Sequence, residues 1–137
     1  MTQTQTQTRE ITMIQSLNEA MREEMGRDER VFIMGEDIQS GVYGASGGLF
    51  DAFGGERVLD CPLSENAFMG AAVGAAAVGM RPIVESRFCF MWVAMDSLIS
   101  QAAKMRYMFG GQVNLPIVYR AGMSYGGSSA AHHSDRS

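Results

Sequence analysis

The sequence predicts an α/β fold, mainly a parallel sheet with helices on both faces. Short apolar runs that suit buried strands alternate with segments of helical periodicity, which is the pattern of a layered parallel sheet. A length of 137 residues suffices for one domain with a hydrophobic core. Ligands of such sheets bind at the carboxyl ends of the strands, so the residues that follow each strand are the first candidates for a functional site.

The first ordered element is predicted to be a helix that begins after Thr12. Residues 1–10 include Thr-Gln repeats without a hydrophobic face and are expected to form a disordered tail, which leaves 11–137 as the domain. Thr12 and Gln15 have the spacing of a capping box, and Gly26 is the expected end of the helix. The apolar positions that recur at helical intervals are Ile14, Leu17, Met21 and Met25.

Four short strands are predicted, separated by helices and glycine-rich turns. A loop at 41–48 and a short helix that ends at Gly54 separate the first two strands. A long helix that ends at Gly110 is expected between the third strand and the fourth. The apolar stripe of that helix comprises Trp92, Met95, Leu98, Ile99, Ala102 and Met105. The predicted strand ranges are 31–34, 57–60, 83–85 and 115–119.

A helix from Glu65 to about residue 78, with Ser64 as its N-cap, is unusually rich in small residues. An interior glycine costs about 1 kcal/mol relative to alanine, so Gly70 and Gly74 need a structural reason. Small side chains allow another backbone to approach closely. The pattern does not decide between packing against the chain's own sheet and contact with a second subunit, and both can hold for different faces.

Composition and charge exclude several classes of function. The net charge is −4 without a run of like charge, which argues against nucleic acid as a partner. No apolar stretch approaches the ~20 residues of a membrane span. Cys61 and Cys89 lie far apart, and together with the lack of an export signal they indicate reduced thiols in the cytoplasm. Zinc is not expected, because no pair involving these cysteines, His132 or His133 has ligand spacing.

Within the segment 60–85, a glutamate is followed at fixed spacing by two glycines: Glu65 precedes Gly70, Ala71 and Gly74. This segment resembles the corresponding segment in the β subunits of the E1 component of 2-oxo acid dehydrogenases of the pyruvate, branched-chain and acetoin type. The resemblance runs from about residue 11 to the end and implies the pyrimidine-binding fold of the transketolase-like thiamine enzymes. Further matches lie at 35–37, 101–104, 106–111 and 131–134.

The resemblance implies a catalytic role for Glu65. This residue matches the carboxyl group that hydrogen-bonds N1′ of the aminopyrimidine of thiamine diphosphate, with Leu63 as a further cofactor contact. A proton held at that ring nitrogen activates the thiazolium carbon, and the thiazolium ring accepts the electrons released when carbon dioxide leaves the 2-oxo acid. Without the resemblance, Glu65 reads simply as a first-turn acidic residue that the helix dipole favours.

An aromatic residue and a histidine complete the implied site. Phe90 matches the aromatic residue that stacks on the aminopyrimidine. The stretch after Glu85 is one residue shorter than in many relatives, so Phe88 is the alternative. His133 matches a histidine that borders the reacting carbon and contacts the substrate or the lipoyl arm. His132 stands where many relatives carry glutamine.

The family's metal-binding motif is absent from this sequence. E1 enzymes hold the cofactor diphosphate through Mg²⁺ with a Gly-Asp-Gly motif on the α subunit, and no Gly-Asp-Gly occurs here. The resemblance therefore implies an E1 α subunit as partner, together with a second β subunit and a lipoyl-bearing acyltransferase (E2) core. The chain alone is expected to be inactive. It ends directly after a glycine-rich segment, which predicts a truncated domain without the family's C-terminal domain.

Two other functions remain open at the level of sequence. One is a related thiamine enzyme, either an acetoin dehydrogenase or a transketolase-like protein. The other is a catalytically inert, truncated α/β fragment. The substrate preference of the first group depends largely on pocket residues that this sequence does not contain.

Overall fold

A four-stranded, fully parallel sheet forms the centre of the computed structural model, which describes residues 8–123 and 130–134. The predicted α/β class is thereby confirmed. The strands are β1 (Val31–Gly35), β2 (Val58–Asp60), β3 (Arg81–Arg87) and β4 (Val118–Gly122), in the order β2-β1-β3-β4. The α-helices are α1 (Met13–Arg27), α2 (Leu49–Phe53), α3 (Glu65–Ala77) and α4 (Met105–Met108). Two 3₁₀ helices (Phe88–Ala94 and Ala131–His133) and a π helix (Asp96–Ala102) complete the described elements.

The central strand β1 separates two hydrophobic cores because its side chains alternate between the faces of the sheet. All five of its residues are buried. On one face, Ile33 packs with residues of α1 and α2. On the other face, Phe32 and Met34 pack with α3 and the first 3₁₀ helix. Helices therefore cover both faces, as predicted.

The strand order creates a switch point between β1 and β3. The chain leaves β1 toward β2 on one side and returns across β1 to β3 on the other, and such points form crevices at the carboxyl ends of the strands. The two strands lie very close at this edge. A Cβ atom on Gly35 would overlap the carbonyl oxygen of Glu85, so only glycine fits there.

The start of α1 agrees with its prediction, whereas its end does not. Thr12 and Gln15 form the capping box: the Gln15 N–H donates to Thr12 Oγ1 over 3.2 Å, and the Thr12 N–H donates to Gln15 Oε1 over 2.8 Å. The predicted end at Gly26 is one residue short, because the helix continues to Arg27. The turn beyond it is made by Asp28, whose carboxylate accepts the backbone N–H of Arg30 over 2.9 Å.

Arg57 joins the elements at the amino end of the sheet. Its guanidinium donates to the carbonyls of Met25, Asp28 and Val31 over 2.7, 3.0 and 3.1 Å. The guanidinium carbon also lies 5.2 Å from the centre of the Phe53 ring. One side chain thus links the end of α1, the following turn, the start of β1 and α2.

The predicted long helix before Gly110 is wrong. The chain instead forms the first 3₁₀ helix, the π helix and α4 in succession. Trp92 and Ile99 of the predicted stripe are exposed, while Ser97 is buried. Ser97 Oγ donates to Asn66 Oδ1 of α3 over 3.1 Å and would lie 3.3 Å from a Cβ on Gly70. The close approach of this segment to α3 accounts for the small residue at position 70.

The prediction for α3 is confirmed for one of its two faces. One face of α3, which includes Ala72 and Ala76, is buried within the domain, so packing against its own sheet is confirmed. Ala71 and Gly74 face outward, and a subunit contact there stays a prediction.

The predicted strand at 115–119 is shifted, because β4 begins at Val118 opposite Ile83. The other three strands match their predicted ranges within two residues at either end.

Residues 1–7, which make up most of the predicted tail, and the chain end at 135–137 lie outside the described residues. Among the helices that the structure describes, none combines the length and the apolar character of a membrane-spanning segment.

Candidate functional site

Two glutamates meet at the carboxyl edge of the sheet. Glu36 directly follows β1 and is only 6% exposed, and Glu65 is the first residue of α3 and is half-buried. The segment after β2 is fixed to the end of β1, because the Cys61 N–H donates to the Gly35 carbonyl over 2.7 Å. This connection brings the start of α3 over the end of β1, where the side chains of Glu36 and Glu65 interact.

Burial and a second negative charge raise the pKa of Glu36 to about 7. Loss of water is the largest cause, followed by the charge of Glu65, the hydrogen bond with Glu65 and the charge of Asp37, while Arg87 acts in the opposite direction. Glu36 Oε1 is buried and has no hydrogen-bond partner among the described residues. Glu36 is therefore more readily protonated than an ordinary carboxyl, because burial and its acidic neighbours disfavour the charged form.

Three rings form a second cluster at the same edge. The centre of the Phe90 ring lies 5.2 Å from His133, in an edge-on geometry, and 6.4 Å from His132. The two imidazole rings are 4.4 Å apart. His133 Nδ1 is buried and lacks a hydrogen-bond partner within the described part of the chain. Phe88 lies instead against Trp92, with 6.2 Å between the ring centres. The structure thus groups Phe90, rather than Phe88, with the histidines.

The two clusters lie on adjoining elements. Helix α3, which carries Glu65, packs against the 3₁₀ helix that carries Phe90, and this helix contacts the second 3₁₀ helix with His133. Leu63 is 84% exposed in the loop between β2 and α3. The expected N-cap bond of Ser64 is absent, because its hydroxyl donates to the Pro62 carbonyl over 3.2 Å.

Two arginine side chains lie near the buried Glu85 carboxyl at the switch point. Glu85 on β3 forms an ion pair with Arg120, its neighbour on β4. Burial raises the pKa of Glu85, and the charges of Arg120 and Arg87 oppose that increase. The guanidinium carbon of Arg87 lies 3.9 Å from the centre of the Tyr43 ring. All four residues line a cavity of about 440 Å³.

No group of three His, Cys, Asp or Glu side chains in the described part of the chain is arranged to hold a metal ion. Cys61 and Cys89 are free thiols, and burial raises the pKa of Cys61.

The sequence matches the family "Transketolase, pyrimidine binding domain" over residues 9–137, nearly the full chain. The chain belongs to this family. A carboxyl pair and an aromatic ring at the carboxyl edge are suitable groups for a pyrimidine, which offers ring nitrogens and a flat face. Membership of the family implies thiamine diphosphate as the cofactor in general terms.

Three individual proteins are similar in sequence to this pyrimidine-binding domain. It is 48% identical over 128 residues to the β subunit of the pyruvate dehydrogenase E1 component of Rickettsia bellii, an alignment that covers 91% of this chain. It is 46% identical over 127 residues, 90% of the chain, to the β subunit of 2-oxoisovalerate dehydrogenase of Bacillus subtilis. It is 47% identical over 139 residues, 92% of the chain, to the β subunit of the acetoin:2,6-dichlorophenolindophenol oxidoreductase of Cupriavidus necator.

The chain spans only part of these relatives. The alignments cover 39% of the first two proteins and 41% of the third. The similarity therefore concerns the pyrimidine-binding domain, and the three relatives are nearly equal in identity.

Glu36 is the site residue that the sequence analysis missed. It was noted only as part of a motif at residues 35–37, because nothing local distinguishes it from other acidic residues after strands. Its available signal was its position directly after a wholly apolar strand, where ligands of parallel sheets bind.

Proposed function

We propose that this chain contributes the aminopyrimidine half of a thiamine-diphosphate site in the E1 component of a 2-oxo acid dehydrogenase. The observation that carries the proposal is the position of two acidic side chains at the carboxyl edge of a pyrimidine-binding domain: Glu36, buried directly after β1, and Glu65, the first residue of α3. A carboxyl at Glu65, supported by the buried Glu36 behind it, is suited to hold a proton at a ring nitrogen.

Each residue of the site has a role in this proposal. Glu65 hydrogen-bonds N1′ of the aminopyrimidine, and Glu36 supports it from the buried side. Phe90 stacks on the pyrimidine ring, and Leu63 contacts the cofactor from the loop. His133 borders the reacting carbon and orients the substrate. When bound, thiamine diphosphate supplies a thiazolium ring that accepts the electrons released on decarboxylation.

The fit of these residues to a pyrimidine rests on two features of the structure. Glu36 Oε1 and His133 Nδ1 are buried polar atoms without partners among the described residues, and such atoms are costly unless a ligand or water satisfies them. Phe90 is only half-buried, so part of its ring remains available for stacking. The carboxyl and aromatic groups complement a flat ring with hydrogen-bonding nitrogens.

The proposal requires partners. No Gly-Asp-Gly occurs in the sequence, so an E1 α subunit holds the diphosphate through Mg²⁺. A second β subunit and a lipoyl-bearing E2 core complete the assembly, and the acyl group passes to lipoyl groups. The substrate is a 2-oxo acid. Acetoin is the main alternative, since a relative named for acetoin oxidation is 47% identical to this chain. A transketolase-like enzyme or an inert fragment is less consistent with the three β-subunit relatives.

Glu65→Gln tests the catalytic role. In the assembled enzyme we expect turnover to fall by about 10²–10⁴-fold, the usual contribution of general acid–base groups, since the amide cannot deliver a proton to the ring nitrogen. Hydrogen–deuterium exchange at the thiazolium carbon should slow in parallel. Asp51→Asn, which neutralises a first-turn carboxylate of α2, is the matched control and should change neither rate. Normal exchange and turnover in Glu65→Gln would refute the role.

Calorimetry tests the shared site. A full-length β chain that contains this domain should bind thiamine diphosphate with Mg²⁺ tightly only after an α subunit is added. Tight, Mg²⁺-dependent binding to the β chain alone would contradict the division of the site between two subunits. Parallel assays with pyruvate, a branched-chain 2-oxo acid and acetoin distinguish the substrate classes.

A further inference from the structure

We propose that Ser97 is a positioning residue that holds the first turn of α3, and with it Glu65, in place through Asn66. Its meaning for catalysis rests on the proposed function of Glu65. Its effect on the start of α3 is a property of this chain alone and can be measured without a cofactor.

The start of α3 is not closed by its own N-cap residue. The Ser64 hydroxyl donates to the Pro62 carbonyl over 3.2 Å instead of to the helix. Helix α1, by contrast, begins with a reciprocal capping box. The first backbone N–H groups of a helix have no partners within the helix, so an uncapped first turn opens more readily. Glu65, the first residue of α3, therefore depends on contacts from outside the helix.

The Ser97 hydroxyl supplies such a contact. It donates to Oδ1 of Asn66 over 3.1 Å and to the carbonyl oxygen of the same residue over 3.3 Å, which is a three-centre hydrogen bond. Asn66 directly follows Glu65. A bond to the main chain of Asn66 restrains the backbone that carries the neighbouring Glu65 side chain.

The burial of Ser97 gives this contact weight. Ser97 is only 6% exposed, whereas Ile99 in the same π helix is 52% exposed. Burial of a hydroxyl is unfavourable unless the hydroxyl is hydrogen-bonded, so an apolar residue would fill the position at less cost. π helices are frequent at functional sites. This one turns a serine toward α3 and leaves an isoleucine exposed.

Gly70 is an independent sign of the same fit. A Cβ atom at this position would lie 3.3 Å from Ser97 Oγ, a tighter contact than a Cβ atom normally makes. Gly70 follows Asn66 by four residues, so the two positions are neighbours on one face of α3. Glycine lowers helix propensity relative to alanine. That loss has a reason if the space at position 70 accommodates the Ser97 hydroxyl.

Amide hydrogen exchange tests the positioning role in the chain without cofactor. In Ser97→Ala we expect the amides of residues 67–70 to exchange about 2- to 10-fold faster, the effect of one lost hydrogen bond on local opening. Exchange in β1 should not change. Ser46→Ala is the matched control, because it removes another buried hydroxyl, in the loop before α2, and should leave α3 unchanged.

Two outcomes of this experiment would overturn the inference. One is unchanged exchange at residues 67–70 in Ser97→Ala. The other is an equal acceleration in α3 and β1, which would show a general loss of stability without any local role at the start of α3.

Gly70→Ala supplies a second variant and a double-mutant cycle. In the Ser97→Ala background, Gly70→Ala should slow exchange at residues 67–70, because alanine favours a helix and the methyl group has room. With the Ser97 hydroxyl present, the methyl group displaces it, and this gain should be lost. The same effect of Gly70→Ala in both backgrounds would contradict the fit between the two positions.

The assembled enzyme gives the functional readout. Ser97→Ala should lower kcat by about 10- to 100-fold, by analogy with residues that orient metal ligands, and slow exchange at the thiazolium carbon in parallel. KM for the 2-oxo acid should change little, because Ser97 acts on the position of Glu65. If residues 67–70 open faster while kcat and thiazolium exchange stay normal, the functional part of the inference is rejected. The proposed role of Glu65 is judged separately, by the Glu65→Gln variant.

Discussion

Glu36 and Glu85 are both buried glutamates at the carboxyl edge of the sheet. Their neighbours carry opposite charges. Glu85 pairs with Arg120, whereas Glu36 lies against a second carboxyl, Glu65. Burial raises the pKa of both. A carboxylate next to an arginine can remain charged, but two adjacent carboxyls cannot both ionise cheaply. One edge of the sheet therefore carries a pair that supports the fold and a pair suited to proton exchange.

The largest effect on stability is expected at the Glu85–Arg120 pair. Arg120→Met should destabilise the chain by about 3–5 kcal/mol, because it leaves a buried carboxyl without its counter-charge. Urea unfolding measures this loss. The double variant Glu85→Leu with Arg120→Met replaces the whole pair by apolar groups and should recover most of the stability. Equal losses in the single and double variants would show that the pair is not the structural element of this edge.

The buried Glu36 should make stability depend on pH. The pKa of Glu36 in the folded chain is about 7, above its ordinary value of 4.5. The folded state therefore binds more protons than the unfolded state between these values, and the associated stability is present below about pH 4.5 and is lost as the pH rises through 7. Since one pKa unit corresponds to about 1.4 kcal/mol, a shift from 4.5 to about 7 limits the loss to about 3–4 kcal/mol.

Urea midpoints from pH 5 to pH 8 test this dependence. Glu36→Gln should remove most of the decline and be more stable than the unmodified chain at pH 8. Glu23→Gln, at an exposed position of α1, is the control and should retain the decline. A flat profile in the unmodified chain would contradict the raised pKa of Glu36.

Substitutions of Phe90 and Phe88 test which aromatic ring contributes to cofactor binding. In the assembled enzyme, Phe90→Ala should weaken cofactor binding by about 1–3 kcal/mol, by analogy with the stacking of nucleic-acid bases on aromatic side chains. Phe88→Ala, whose ring packs on Trp92 rather than on the histidines, should weaken it less. Calorimetric titration compares the two variants. A larger effect at Phe88 would show that the wrong aromatic residue has been assigned to stacking.

The capping box at Thr12 gives a baseline that is distant from both pairs. Thr12→Ala removes the bond to the Gln15 N–H and should cost about 1 kcal/mol, the usual price of an N-cap. The loss should be the same at pH 5 and pH 8, because no titrating carboxyl takes part in the cap. A pH-dependent loss would show that unfolding of α1 is coupled to the glutamates at the sheet edge.

The local elements were predictable from sequence because their determinants are local. The capping box of α1, the apolar run of β1 and the glycine that ends α2 each act within a few residues. The segment after β3 was not predictable in this way. Its apolar residues have helical spacing, but the segment forms shorter helices that pack closely on α3, where Ser97 bonds Asn66.

The candidate site was likewise predictable only in part. Glu65, Phe90 and His133 were found by motif, and the structure brings Phe90 and His133 together. The contact of Glu36 with Glu65 depends on the strand order and on the bond between Cys61 and Gly35. Neither can be read from local pattern. The same reason explains β4, whose start is set by its register against Ile83.

The separation of Arg57 from the candidate site bears on how such a domain can evolve. It fastens α1, β1 and α2 at the amino end of the sheet, whereas the glutamates, Phe90 and the histidines all lie toward the opposite end. Substitutions at the carboxyl end can therefore accumulate without loosening this fastening. A lineage built on such a domain can exchange the residues that contact a ligand while the contacts of Arg57 at the other end are kept.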